Sequence, residues 1–141
     1  MSLPCEAHQK FELVSSVTEL LDRFVAGRSV LDVGCANYEG EYGFGLVHSM
    51  VLERCTRCVG VDISPAVLRL PASGRVRYYQ GNAETFLLDE TFDTVFGGDL
   101  IEHLSNPGMF LEKAAAMMHP GSDLLLITPN PYGFRSIVGL F

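Results

Sequence analysis

The side chains able to do chemistry in this sequence cluster in four short stretches, each directly after an apolar run. VLDVGCANYEG (30–40) carries Asp32, Gly34, Cys35 and Ala36, and VGVDIS (59–64) carries Asp62 and Ile63. QGNAETF (80–86) carries Asn82 and Ala83, with Glu84 a weaker candidate, and GGDLIEHL (97–104) carries Asp99, Leu100, Glu102 and His103. Small residues at 34 and 36 would let a ligand approach the main chain, and a helix start beyond them would offer free N–H groups to an anion. A carboxylate at a strand end, as at Asp62, can accept both hydroxyls of a ribose. Asn82 beside the small Ala83 has the polarity and the room to hold a purine edge. Between 99 and 103, two carboxylates stand with an imidazole whose ordinary pKa is near neutrality, so His103 is the candidate base for proton transfer. Taken singly, each stretch reads equally as a turn or a helix start.

Metal chemistry fits less well. Asp99, Glu102 and His103 offer oxygen and nitrogen donors, but no fourth protein ligand is identifiable, and no bound divalent metal is expected. Cys55-Thr-Arg-Cys58 has the spacing of half a zinc site, yet a structural zinc needs four ligands and the sequence holds no second CxxC and no HxxxH. This pair is expected as reduced thiols of a cytosolic protein. His8, His48 and His119 read as surface or helix-end residues.

Alternating helical and strand-like segments would position these groups. Residues 8–26 place Phe11, Leu13, Val14, Val17, Leu20, Leu21 and Phe24 at helical spacing, with Gly27 as the stop. Strands are expected at 29–33, 58–63, 76–80, 91–96 and 124–128, and helices at about 43–54 and 107–118. Ser64-Pro65 begins a further helix that Pro71 cuts short, Asn106-Pro107 starts the last one, and His119-Pro120-Gly121 ends it. The apolar face of that last helix is read as Phe110, Leu111, Ala114, Ala115 and Met118. Strands separated by helices imply an α/β fold: a Rossmann-like, doubly wound, mainly parallel sheet with helices on both faces. Ligands in such sheets bind beyond the carboxyl ends of the strands, which is where all four stretches fall.

Together the four stretches resemble the class I S-adenosylmethionine-dependent methyltransferases, and are most similar to the small-molecule branch related to ubiquinone/menaquinone-biosynthesis methyltransferases. VLDVGCANYEG looks like the first motif of that family, VGVDIS the second, QGNAETF the adenine-contacting segment, FDTVFGGDLIEHLSNP the fourth motif, and HPGSDLLLITPNP the fifth strand. The resemblance implies strand order 3-2-1-4-5, with the terminal antiparallel strands missing, in one domain over 1–141. That domain divides into an N-terminal helix (1–27), a cofactor-binding core (28–131) and the start of a further element (132–141).

By the same resemblance, Gly34 and the main chain at Cys35 and Ala36 would lie along the methionine moiety of S-adenosylmethionine, and Asp32 would orient its amino group. Asp62 would hold the ribose, Ile63 would cover the adenine, Asn82 and Ala83 would border the purine, and Asp99 and Leu100 would sit below the sulfonium. Some relatives carry E-x-x-E-H where this chain has D-x-x-E-H and use it to hold a divalent cation. Ala36 and Tyr38 depart from the family's glycines. That supports an alternative, a catalytically weak or inactive domain that binds the cofactor or a protein partner.

Composition narrows the partners. Hydrophobic residues make up 48% and charged residues 19% of the 141, enough apolar surface for a packed core. A formal charge of −7 removes the broad attraction that non-specific nucleic-acid binders need, so no nucleic acid is expected and a small or neutral partner fits better; under the resemblance that partner is a small-molecule methyl acceptor. No apolar run reaches a membrane-spanning length, and the start MSLPCEAHQK does not read as a signal peptide. A homo-oligomer or a partner is the expected cover for the exposed sheet edge. A nicotinamide-dinucleotide enzyme is the weakest alternative, since G-x-G-x-x-G reads G-C-A-N-Y-E here.

Overall fold

The computed structural model describes residues 16–36 and 45–129. Five parallel strands form one sheet: β1 (Ser29–Val33), β2 (Arg57–Asp62), β3 (Val76–Gln80), β4 (Phe92–Gly98) and β5 (Met118–Ile127). Their order is β3-β2-β1-β4-β5, the order that the resemblance to the methyltransferases implies. Three helices connect and cover them: α1 (Val17–Phe24), α2 (Gly45–Arg54) and α3 (Pro107–Ala116).

Two apolar layers sandwich the sheet. On one face Leu31, Val33, Val59, Val61, Phe92 and Val95 pack with Phe110, Ala114 and Met117 from α3 and its end. Across the sheet, Val30, Cys58, Val76 and Phe96 pack with Leu21 and Val25 behind α1 and with Val51 and Cys55 behind α2. Full burial of such side chains stabilises by ~1.5–3 kcal/mol each. The central strand β1 is buried from Val30 to Val33, and one of those buried residues is the carboxylate Asp32.

Local chemistry sets the element ends. Ser16 caps α1 by accepting from the Glu19 N–H at 3.1 Å, and Asn106 caps α3 by accepting from the Met109 N–H at 3.2 Å. Ser64 caps only a short 3₁₀ turn, Pro65–Arg69, so the helix expected there does not develop. The last helix stops at Ala116, and its inward face is Phe110 and Ala114, followed by Met117; Leu111 and Ala115 point outward. His119-Pro120-Gly121 does not close that helix but lies inside β5, which starts at Met118. Proline is tolerated there because β5 has a neighbour only on the β4 side among the described residues. The first half of the helix expected over 8–26, the residues 37–44 and the segment 132–141 lie outside the described residues.

Candidate functional site

Because the strands are parallel, their carboxyl ends share one rim, and two cavities open along it. The larger, about 570 Å³, is lined by Asp32, Gly34, Cys35, Ala36, Asp62, Ile63, Asp99 and His103, together with Val17, Val47, His48, Phe96, Gly98 and Ile127. The smaller, about 230 Å³, is lined by Asn82, Ala83, Glu84, Leu100 and Leu104 among others, and shares Gly34, Asp62, Ile63 and His103 with the first. Every residue expected to bind a cofactor lines one or both.

Asp62 ends β2 and organises the centre. Its Oδ2 accepts from the Ala36 N–H at 2.9 Å and its Oδ1 from the Ser64 N–H at 2.8 Å, so one carboxylate ties the loop after β1 to the turn after β2. Each oxygen keeps a further lone pair for a ligand. Ile63, one residue beyond the strand, is 68% exposed, a large apolar side chain held open at the junction of both cavities. Gly34 adopts φ +80°, and a Cβ there would lie 3.3 Å from Leu100 Cδ1. Glycine is therefore required by the backbone and by Leu100, in addition to any ligand. Ala36 has no such strain, since Asp99 is the one non-glycine residue with positive φ among those described.

Asp99, at φ 48°, makes the sharp turn after β4, and its N–H is fixed to the Ile127 carbonyl at 2.8 Å. An aspartate tolerates this conformation better than most residues, and strain of this kind clusters at functional sites. Burial, and then the neighbouring Glu102 carboxylate, push its pKa above the ordinary carboxylate range. Glu102 is exposed and lines neither cavity, whereas His103 lines both. Among the described residues no group of three His, Cys, Asp or Glu side chains is placed to hold a metal. Asn82 Oδ1 accepts from the Glu84 N–H at 2.8 Å, which leaves its amide group as the donor end, and Glu84 is engaged with the Asn106 N–H at 2.9 Å.

The expectation for His48 fails outright. His48 is not a surface residue: it is 8% exposed, its Nδ1 lies 2.7 Å from Asp32 Oδ2, and its Nε2 lies 2.9 Å from the Tyr78 hydroxyl. The spacing of His48 and Val51 on α2, continued by Cys55 just past its end, marks the buried stripe, a signal masked because a histidine near a helix start reads as polar surface. Burial, ahead of the nearby Cys58, Cys35 and Asp32, pushes the Tyr78 hydroxyl up to about 12, so it stays protonated. Cys35 is likewise held as a thiol, by burial first and by Asp32 and Asp62 next. Cys55 and Cys58 are buried and unpaired by any disulfide, and Cys5 and His8 lie outside the described residues. His119 is half-buried in β5 against Asp93, at the opposite end of the sheet. Val17, Val47, Phe96 and Ile127 form the apolar wall of the larger cavity, which sequence spacing does not single out.

The profile of the methyltransferase domain matches residues 31–126 of this chain. The chain belongs to the methyltransferase domain family. This methyltransferase domain is 31% identical over 115 residues to the ubiquinone biosynthesis O-methyltransferase of Azorhizobium caulinodans, covering 77% of this chain and 43% of that protein. It is 35% identical over 112 residues to the enzyme of the same name from Idiomarina loihiensis, covering 74% and 43%. The chain thus spans less than half the length of these curated relatives. In structure it is similar to the N-methyltransferase NodS of Bradyrhizobium japonicum, solved with S-adenosyl-L-homocysteine, at a TM-score of 0.59 and 19% identity, over 72% of this chain and 52% of that one. A TM-score of 0.61 at 18% identity relates it to DhpI, solved in complex with SAH, over 75% and 51%. These likenesses establish the fold, and no helix among the described residues is long and apolar enough to cross a membrane.

Proposed function

We propose that this methyltransferase domain binds S-adenosylmethionine across the two cavities and serves methyl transfer to a small-molecule oxygen, nitrogen or carbon nucleophile. The observation that carries the reading is the shared lining: Gly34, Asp62, Ile63 and His103 bound both cavities, so a single elongated ligand can pass from one to the other. The larger volume, about 570 Å³, lies within the ~300–1,000 Å³ of ordinary ligand sites. When bound, S-adenosylmethionine supplies a methyl group already activated by a positively charged sulfur.

The chain's own groups then have distinct tasks. Asp62 accepts from the ribose hydroxyls, Ile63 covers one face of the adenine, and Asn82 and Ala83 border its edge. Gly34, Cys35 and Ala36 present main chain to the methionine portion, and Asp32 takes its ammonium group. Asp99 and Leu100 stand below the sulfonium, where nearby carboxylates stabilise positive charge. His103 is the group we assign to take a proton from an acceptor that must lose one. Apolar Val17, Val47, Phe96 and Ile127 exclude water from the approach, which together with alignment supplies much of the acceleration for an in-line displacement. The curated relatives carry the name O-methyltransferase, which favours an oxygen acceptor among the three. A cytosolic place and a single domain over 1–141 are parts of the same proposal.

Titration calorimetry tests it. S-adenosylhomocysteine should bind and NAD should not. Asp62→Ala should weaken the former by about tenfold or more, the usual scale for losing hydrogen bonds to a charged group. No binding at millimolar ligand, or affinity unchanged in a folded Asp62→Ala variant, overturns the reading.

A further inference from the structure

The roles assigned so far leave out two members of the buried chain Asp32–His48–Tyr78, the histidine and the tyrosine. Its parts come from β1, α2 and β3, so the tertiary fold alone brings them together. Asp32, Gly60 and Tyr78 are neighbours in one row across three strands. A Cβ on Gly60 would lie 2.6 Å from Tyr78 Cδ1 and 2.7 Å from Cys35 Sγ, so the missing side chain is the gap through which Tyr78 reaches His48. The two rings meet at 5.6 Å between centroids. Asp32 is 2% exposed in the middle of the sheet, where an unpaired carboxylate is costly, yet it lines the larger cavity, as does His48.

Both nitrogens of His48 are occupied, one by Asp32 and one by Tyr78. That arrangement unsuits the ring for exchanging a proton with an acceptor and suits it for holding its neighbours still. Because a carboxylate oxygen accepts, Nδ1–H is the donor to Asp32 Oδ2, while Nε2 and the Tyr78 hydroxyl share the second hydrogen bond.

We propose that His48, braced by Tyr78, is a positioning residue that clamps Asp32 Oδ2 so that the carboxylate presents its other oxygen to the ammonium group of the bound cofactor's amino-acid end. The inference rests on the cofactor reading above, and goes beyond it by assigning the grip on the amino-acid end to a three-residue relay.

Two ligands separate this role from general packing: S-adenosylhomocysteine, which carries the ammonium group, and 5′-methylthioadenosine, which lacks the amino-acid end. His48→Leu should weaken the first by about tenfold and leave the second within about twofold, the size expected for losing one charged hydrogen-bond contact. His48→Asn, whose amide can donate where Nδ1–H does, should keep most of the affinity for the first. Tyr78→Phe, which keeps the ring and loses the hydroxyl, should show the same selective loss at smaller size. Equal losses for both ligands, or no loss for either, overturn the inference. Should His48→Leu fail to fold, Tyr78→Phe decides by the same comparison. A wild-type chain that binds neither ligand overturns the cofactor reading instead.

Discussion

Gly34 and Asp99 make the two backbone turns that aim the site, and each has a testable energetic signature. At Gly34, φ +80° and a Leu100 methyl 3.3 Å from any added Cβ oppose a side chain for separate reasons. Gly34→Ala should therefore lower unfolding stability by about 1–2 kcal/mol, read by urea titration. Asp99 titrates above the ordinary carboxylate range because of burial first and Glu102 second. In Glu102→Gln its titration, followed by carboxyl NMR, should move down toward the ordinary range without reaching it, since the burial cause remains. A return to ordinary values would mean that Glu102, and not burial, dominates.

Between elements, a further set of polar ties sits at the end of the sheet away from the cavities. Asp93 on β4 accepts from the Ser29 N–H and hydroxyl at 2.8 and 2.7 Å, and His119 Nε2 on β5 lies 3.0 Å from it. The Ser29 hydroxyl first, then the Ser29 N–H and His119, hold the Asp93 carboxyl down to about 2, against ~3.9 in an unfolded chain. A depressed carboxylate stabilises the fold at pH above the unfolded value, and that contribution is lost as pH falls from about 4 toward 2. The Asp93 side chain is 44% exposed, so solvent screening keeps the effect modest. His119 moves the other way: the Pro120 carbonyl, then Asp93, raise it. Its contribution is present below the unfolded histidine value and fades as pH rises through the folded one. Asp93→Asn should flatten the acid slope and, because the Pro120 carbonyl remains, only reduce the histidine one in a pH series of thermal unfolding curves; unchanged slopes would place the titrating pair elsewhere.

Across the whole molecule the division of labour follows from parallel strands. All carboxyl ends share one rim and hold both cavities, while the amino ends carry ion pairs such as Arg28–Asp123 and Arg57–Glu90. Between them, the layers on the two sheet faces supply stability. Phe110 anchors α3 in one layer at 1% exposure, so Phe110→Ala should cost about 3–5 kcal/mol in denaturant unfolding. A cost below ~1 kcal/mol would show that α3 is not an integral part of the core.

How much was legible in the sequence depended on the range of the forces involved. Strands β1 and β3 fall at their expected residues because apolar runs and turn residues act locally, whereas the sheet order was implied by the family resemblance and not by any local pattern. Several features were decided only by packing. Pro65 and Ser64 start a helix by local rule but yield a short 3₁₀ turn, and His119-Pro120-Gly121 joins a strand that, among the described residues, bonds to a neighbour on the β4 side alone. Glu102 leaves the cluster it shares in sequence with His103, since a 3₁₀ turn over Ile101–His103 leaves it outside both cavities. His48 is the plainest case: its partners are 16 and 30 residues away, a buried carboxylate and a phenol. Residue type and spacing decide which segments become strands and helices; whether a polar side chain faces water or a buried charge is decided only when distant strands are laid side by side.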